Sequence, residues 1–143
     1  TEIARSFGGV LARKLEELDV AEPLLVPIPL FWKRFWARRY NQASLLALEL
    51  ARRSGRECLV NALTRVKPTP VLKEMSDVER FEALKDAIEV TQHAIPKVKG
   101  RTVVLIDDVF TSGATLTAAT NALLSAGAKE VCVLALARAV KNA

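Results

Sequence analysis

The chain of 143 residues is half apolar, carries a net charge of +5 and contains two cysteines and one histidine. That length buries one sizeable core and is short for two ordinary domains; no run reaches the ~18 unbroken apolar residues of a membrane span, and the start, Thr1-Glu2-Ile3-Ala4-Arg5, lacks a signal-peptide pattern. Cys58, Cys132 and His93 form no CxxC pair or ligand cluster, which argues against structural zinc and a disulfide framework.

A soluble, cytoplasmic single domain is therefore expected, with both cysteines as small buried side chains. Because the first residue is not methionine, a fragment or trimmed chain is expected as well. The charge is local: Phe31 to Tyr40 holds Lys33, Arg34, Arg38 and Arg39 with no acid, and the other seventeen basic residues nearly balance sixteen acidic ones. A basic patch of this kind points to phosphate or nucleic acid.

From about Ile3 to Leu18, Phe7, Val10, Leu11, Leu15 and Leu18 recur at three- and four-residue spacings, the stripe of an amphipathic helix. Leu24-Leu25-Val26 reads as a short buried strand, and Pro27 and Pro29 are expected to end its pairing because each lacks a donor. Asn41 is placed to cap a helix running to about Arg53, with Gly55 as its stop. Cys58-Leu59-Val60 reads as another strand, and Lys67-Pro68-Thr69-Pro70 cannot be regular. Ser76-Asp77-Val78-Glu79 offers a capping box into a helix reaching about Ile88, and Pro96 to Gly100 reads as a turn.

The last third is the clearest. A strand at Thr102 to Ile106, a helix from about Gly113 to Ser125 closed by Gly127 and a strand at Val131 to Ala137 spell a βαβ unit. The fold class is α/β: one domain over residues 1–143, with a mainly parallel twisted sheet flanked by helices.

In open α/β sheets ligands lie beyond the carboxyl ends of the strands. Here that position holds Asp107 and Asp108, followed by Thr111-Ser112-Gly113-Ala114-Thr115. Small residues let backbone N–H groups approach a phosphate, the hydroxyls of Thr111, Ser112 and Thr115 add donors, and the next helix presents its positive end. The carboxylates would repel that phosphate, so they must serve another part of the ligand, a diol or a bound divalent cation. An Asp pair ending a strand and a hydroxylic turn capping a helix each arise for structural reasons alone. It is their contiguity, in the order strand, carboxylates, loop and helix, that points to a ligand. Neither GxGxxG nor GxxxxGK[ST] occurs, which removes the main support for dinucleotide and nucleoside-triphosphate loops.

The run Val103-Val104-Leu105-Ile106-Asp107-Asp108-Val109-Phe110-Thr111-Ser112-Gly113-Ala114-Thr115 closely resembles the phosphoribosyl-diphosphate signature of type I phosphoribosyltransferases. Val26-Pro27-Ile28-Pro29-Leu30, Arg38-Arg39-Tyr40-Asn41-Gln42, Arg65, Arg80 and Ala137-Arg138 extend the resemblance over nearly the whole chain, to the ComF-like competence branch. Members of that branch often carry an amino-terminal cysteine-rich zinc module, for which this sequence has no counterpart.

The resemblance implies a Mg²⁺-dependent transfer in which a nitrogen of an unidentified base attacks the anomeric carbon of phosphoribosyl diphosphate and pyrophosphate leaves. On that reading Asp107 and Asp108 are the catalytic carboxylates. They bind the ribose hydroxyls and hold Mg²⁺ indirectly. Thr111, Ser112, Gly113, Ala114 and Thr115 bind the 5-phosphate, and Lys33, Arg34 and Arg38 lie near the pyrophosphate. Relatives often form homodimers. The sequence departs from the branch at four places: Arg39 where Gly is usual, Tyr40 for Phe, Leu72 for Gln and Ala83 for Asn. Sugar-phosphate binding survives those departures better than turnover does, which keeps a non-catalytic sensor of phosphoribosyl diphosphate as an alternative.

The segment with Phe31, Trp32, Phe35 and Trp36 among its cations admits three readings: core or dimer packing, pyrophosphate binding, and single-stranded DNA bound by stacking and charge. Arg65 and Arg80 read equally as surface charges or site cations, and His93 as a surface residue.

Overall fold

The computed structural model describes residues 2–29, 42–66, 76, 78–79, 87–110 and 113–138. Helix α1 (Glu2–Leu18) leads into strand β1 (Leu24–Pro27), and helix α2 (Gln42–Ser54) returns the chain to strand β2 (Glu57–Cys58). A two-stranded antiparallel ribbon follows, β3 (Leu63–Arg65) with β4 (Ile88–Val90), and then a 3-10 turn at Gln92–Ala94 and a one-turn helix α3 (Ile95–Val98). Strand β5 (Thr102–Phe110), helix α4 (Ala114–Ser125) and strand β6 (Glu130–Arg138) complete the βαβ unit.

The main sheet has the order β2-β1-β5-β6, and every pairing in it is parallel. Strand alternation divides the core between its two faces. Leu24, Val26, Val103 and Leu105 pack with Leu116, Ala119 and Leu123 of α4, with Ala62, Leu63 and Ile88 of the ribbon region alongside. Leu25, Val104 and Ile106 pack on the other face with Leu11 and Leu15 of α1 and Leu46, Ala47 and Leu50 of α2. Strands buried on both faces read as unbroken apolar runs, which is why Val103 to Ile106 carries no polar residue. Helices α1 and α2 approach closely at Gly8, where an added Cβ would lie 2.6 Å from Glu49 Cγ and 2.7 Å from Arg53 Nε.

Four expectations change. Pairing does not stop at Pro27, because Ile28 N donates to Ile106 O at 2.9 Å. By alternation, the donor that Pro27 lacks faces the side where β2 has already ended opposite Leu25. The strand expected at Cys58-Leu59-Val60 is Glu57–Cys58, with one further bond from Leu59 N to Leu25 O at 3.0 Å. The capping box forms, with Ser76 N on Glu79 Oε1 at 2.8 Å and Glu79 N on Ser76 Oγ at 3.1 Å, but Ile88 is strand, paired with Arg65. Pro96 sits in the first turn of α3, where its missing N–H costs nothing.

At the amino edge of the sheet, Glu57 accepts from Lys97 Nζ at 2.8 Å and from Arg101 Nη1 at 2.7 Å, which ties β2 to α3 and β5. The two cations, Lys97 first, hold its carboxyl below the ordinary range. Cys58 and Cys132 are unbridged and only partly buried, on opposite edge strands. Burial pushes the Cys58 thiol up to about 11. No helix among the described residues is long and apolar enough to cross a membrane.

Candidate functional site at the carboxyl edge of the sheet

From β1 the chain moves outward to β2 on one side, and to β5 and then β6 on the other. The strand order therefore reverses between β1 and β5, and in open parallel sheets the crevice beyond such a switch point is where ligands bind. Because α2 and α4 each follow a strand and run back across a face, both helices begin at this carboxyl edge. Neither carries an acidic residue in its first turn. Two helix starts, one on each face, turn their positive ends toward the switch point.

Asp107 and Asp108 were expected just past the end of a strand at Ile106. The structure instead carries β5 through to Phe110, because β6 continues alongside it, with Asp107 opposite Ala135 and Phe110 opposite Arg138. β1 stops one step earlier, with Pro27 opposite Ile106. Asp107, held opposite Ala135, is therefore the first residue of β5 that rises clear of β1, and Asp108 follows it along the strand. Alternation gives Asp107 the parity of Val103 and Leu105, the face covered by α4, and the residue is half-buried.

Only Thr111 and Ser112 separate Phe110 from Gly113, which precedes α4 with φ 88° and ψ −18°. That left-handed conformation suits glycine, and it turns the chain from strand into helix. The Gly113 carbonyl accepts the first helical bond, from Thr117 N at 2.8 Å. Lacking a side chain, Gly113 leaves the N–H groups of the first turn uncapped from its own position. Leu116 is buried and anchors that turn against the core.

The described residues thus bring together Asp107, Asp108, Gly113, Ala114 and Thr115 around one strand end and one helix start. Thr111, Ser112, Lys33, Arg34 and Arg38 lie outside the described residues, as do Arg39, Tyr40, Asn41, Leu72, Arg80 and Ala83. Arg65 ends β3 half-buried, and burial draws its guanidinium below its ordinary value, so it is not a solvated surface charge. His93 is exposed in the 3-10 turn, as expected.

One residue gained no role of its own in the sequence reading. Gln42 opens α2 at this same edge, and its buried Oε1 finds no hydrogen-bond partner among the described residues. Buried polar atoms are nearly always satisfied, so an orphan beside a candidate site asks for an external partner. The available signal was a polar residue heading the apolar stripe Ala43, Leu46, Ala47 and Leu50. A cavity of about 510 Å³ lined by Ala12, Leu15, Asp19, Pro23, Arg53 and Arg56 opens at the opposite, amino edge and includes none of these residues.

The phosphoribosyl transferase domain model matches residues 44–142, which take in β5, the loop after it and α4. The chain belongs to the phosphoribosyl transferase domain family. Within that family it falls in the branch similar to competence protein F of Haemophilus influenzae, with 37% identity over 90% of this chain and 55% of that protein. The DNA utilization protein YhgH of Escherichia coli K12 is 34% identical over 96% of this chain and 61% of its own length. The chain therefore spans little more than half of these curated relatives. Among solved structures, glutamine phosphoribosylpyrophosphate amidotransferase from B. subtilis gives a TM-score of 0.61 over 93% of this chain and 26% of that one, at 20% identity, a likeness of fold.

Proposed function

We propose that the chain binds 5-phosphoribosyl 1-diphosphate at the carboxyl edge between β1 and β5, and transfers the phosphoribosyl group between pyrophosphate and a nitrogenous base. The observation that carries this reading is the pairing of two strand-held carboxylates with a glycine-led helix start at the topological switch point. The N–H groups of Gly113 to Thr115, with the α4 dipole behind them, take the 5-phosphate. Asp107 and Asp108, held back on β5, accept hydrogen bonds from the ribose hydroxyls and favour positive charge developing at the anomeric carbon. In the transfer a base nitrogen forms its bond to that carbon as the bond to the diphosphate oxygen breaks, and pyrophosphate leaves with the electron pair. Lys33, Arg34 and Arg38, in the segment that follows β1, are the candidates for meeting that leaving group.

The residues fit Mg²⁺. Among the described residues no cluster of three or more His, Cys, Asp and Glu forms an all-protein cage, and Mg²⁺ prefers one or two carboxylates plus ligand phosphates and water. Asp107 and Asp108 would hold it, mainly through water, and it would neutralise charge on the diphosphate. A cytoplasmic site of action belongs to this reading.

Calorimetric titration of phosphoribosyl diphosphate with and without Mg²⁺, on the parent and on Asp107→Asn/Asp108→Asn, tests it. Saturable binding that weakens in the double variant is expected, followed by pyrophosphate release with one member of a panel of bases. Binding without release for any base would make the chain a sensor, the outcome that Leu72 and Ala83 anticipate. A folded parent that does not bind would overturn the proposal.

A second reading draws on the name of the DNA utilization relatives and on the aromatic and basic run Phe31 to Tyr40: an accessory that binds single-stranded DNA. Quenching of tryptophan fluorescence by an oligonucleotide, lost steeply as salt rises, would support it, and indifference to oligonucleotide would remove it.

A further inference from the structure

The cavity of about 510 Å³ at the amino edge lies between the ends of α1 and α2, at the opposite end of the sheet from the phosphoribosyl site. Ala12, Leu15, Val20 and Pro23 give it an apolar floor. Pro23 is buried and leads directly into β1, so that floor is backed by the sheet. One wall is acidic, with Glu16 in the last turn of α1 and Asp19 just past it. Asp19 adopts a left-handed turn, φ 50°, and its N–H donates to Glu16 O at 3.0 Å. The other wall is basic, with Arg53 at the end of α2 and Arg56 beyond it.

The two walls do not neutralise each other. Arg53 is drawn away along α1: its Nε donates to Glu49 Oε2 at 2.8 Å and its Nη2 to Arg5 O at 3.1 Å. Gly8 leaves that path open, since a Cβ there would lie 2.7 Å from Arg53 Nε. The Arg56 N–H donates to Ser54 Oγ at 3.3 Å, but its guanidinium has no partner among the described residues, and neither do the carboxylates of Glu16 and Asp19. Opposite charges that line one cavity without meeting leave room for a guest between them. The uncommitted charges are two carboxylates and one guanidinium. α1 adds to the negative side, because its last turn holds no basic residue to offset the carbonyl end of its dipole. The complementary guest carries a carboxylate for Arg56 and two cations for Glu16 and Asp19, on an aliphatic body that covers the floor.

We propose that this cavity binds a diaminocarboxylic acid, an aliphatic α-amino acid with a second amine on its side chain, as in lysine or ornithine. The methylenes lie over Leu15, Val20 and Pro23, the carboxylate meets Arg56, and the two ammonium groups meet Glu16 and Asp19. These charged residues are exposed and their pairs are screened, so the dissociation constant is on the order of 0.1–1 mM. The site stands apart from the phosphoribosyl reading, because the two lie at opposite ends of β1 and α2.

Calorimetric titration of the full chain with L-lysine at low salt, up to about 10 mM, tests the assignment. Saturable binding is expected, with norleucine, which lacks the side-chain amine, and 1,5-diaminopentane, which lacks the carboxylate, each weaker by about three- to tenfold. Arg56→Gln should weaken lysine by a similar factor without weakening 1,5-diaminopentane, whereas Glu16→Gln/Asp19→Asn should weaken both. Asparagine tolerates the left-handed backbone at position 19 and all three side chains are exposed, so thermal melts should match the parent. Lysine binding should persist in Asp107→Asn/Asp108→Asn, which separates this site from the phosphoribosyl one. No saturation, norleucine bound as tightly as lysine, or lysine affinity indifferent to both sets of amino-edge variants would overturn the proposal.

Discussion

Helix α4 lies between two left-handed glycines, Gly113 with φ 88° at its start and Gly127 with φ 101° just past its end. Replacing either with alanine places a Cβ in a conformation that costs about 1–2 kcal/mol. The reduced freedom of the unfolded chain returns about 0.4–1 kcal/mol of that. At Gly127 the new Cβ would also meet Lys99 Cγ at 3.2 Å, a tight but yielding contact. Both variants should therefore lose about 1 kcal/mol, which lowers a urea midpoint by about 0.5 M for a slope near 2 kcal/mol/M.

Their effects on ligand should part. Gly113→Ala rotates the N–H groups proposed to hold the 5-phosphate, whereas Gly127→Ala disturbs only the far end of the same helix. Titration with phosphoribosyl diphosphate and Mg²⁺ should show affinity reduced at least tenfold, about 1.4 kcal/mol, for the first variant and changed less than twofold for the second. Equal affinities would mean that the phosphate does not sit on the start of α4. Equal stability to the parent in both would refute the strain argument itself.

Three further perturbations separate fold from function. Gly8→Leu should destabilise by about 1–3 kcal/mol because its side chain meets Glu49 and Arg53, whereas Gly9→Ala, whose Cβ has only Arg53 Nη1 at 3.6 Å, should gain up to about 1 kcal/mol of helix propensity; thermal melts of the two variants decide it. Gln42→Leu removes a buried amide oxygen that has no partner among the described residues, so stability should hold or rise by up to about 1 kcal/mol while affinity for phosphoribosyl diphosphate falls; unchanged affinity would return Gln42 to a purely structural role. Arg52, with Arg53 beside it and burial opposing, holds the Glu49 carboxyl at about 2 against an ordinary 4.5. A depressed carboxylate stabilises the fold above pH 4.5 and loses that contribution as pH falls toward 2, so the melting gap between parent and Glu49→Gln should be widest above pH 4.5 and close below it.

What could be read in the sequence follows the range of the forces involved. The βαβ unit from Thr102 onward was legible because β5 is an unbroken apolar run buried on two faces, β6 is apolar from Val131 to Ala137, and the helix between them is followed by a glycine. α1 was legible from Leu11 and Leu15, whose spacing states which side meets the sheet. The ribbon β3–β4 was not, because Leu63–Arg65 and Ile88–Val90 are three residues each and become strands only through a partner more than twenty residues away. The capping box at Ser76 correctly announced a helix start and could not announce that the chain would be strand again by Ile88. Pro27 misled for a related reason: its missing donor matters only on the side where a partner strand exists.

The end of β5 was misread for the same cause, and here the correction strengthens the chemistry. As loop residues, Asp107 and Asp108 would be free to relax away from a phosphate held a few residues further along. As residues of β5, with Asp107, Val109 and Phe110 each paired to β6, their backbone is held in place. The backbone that carries the carboxylates and the helix start proposed for the phosphate are held by separate elements, joined by Thr111 and Ser112. On the proposed reading, a ligand that satisfies both is one whose diol and phosphate are themselves a fixed distance apart, as in a ribose 5-phosphate. Preorganised charge of this kind needs no reorganisation when positive charge develops at the sugar carbon, and that is where such a site gains its advantage over water.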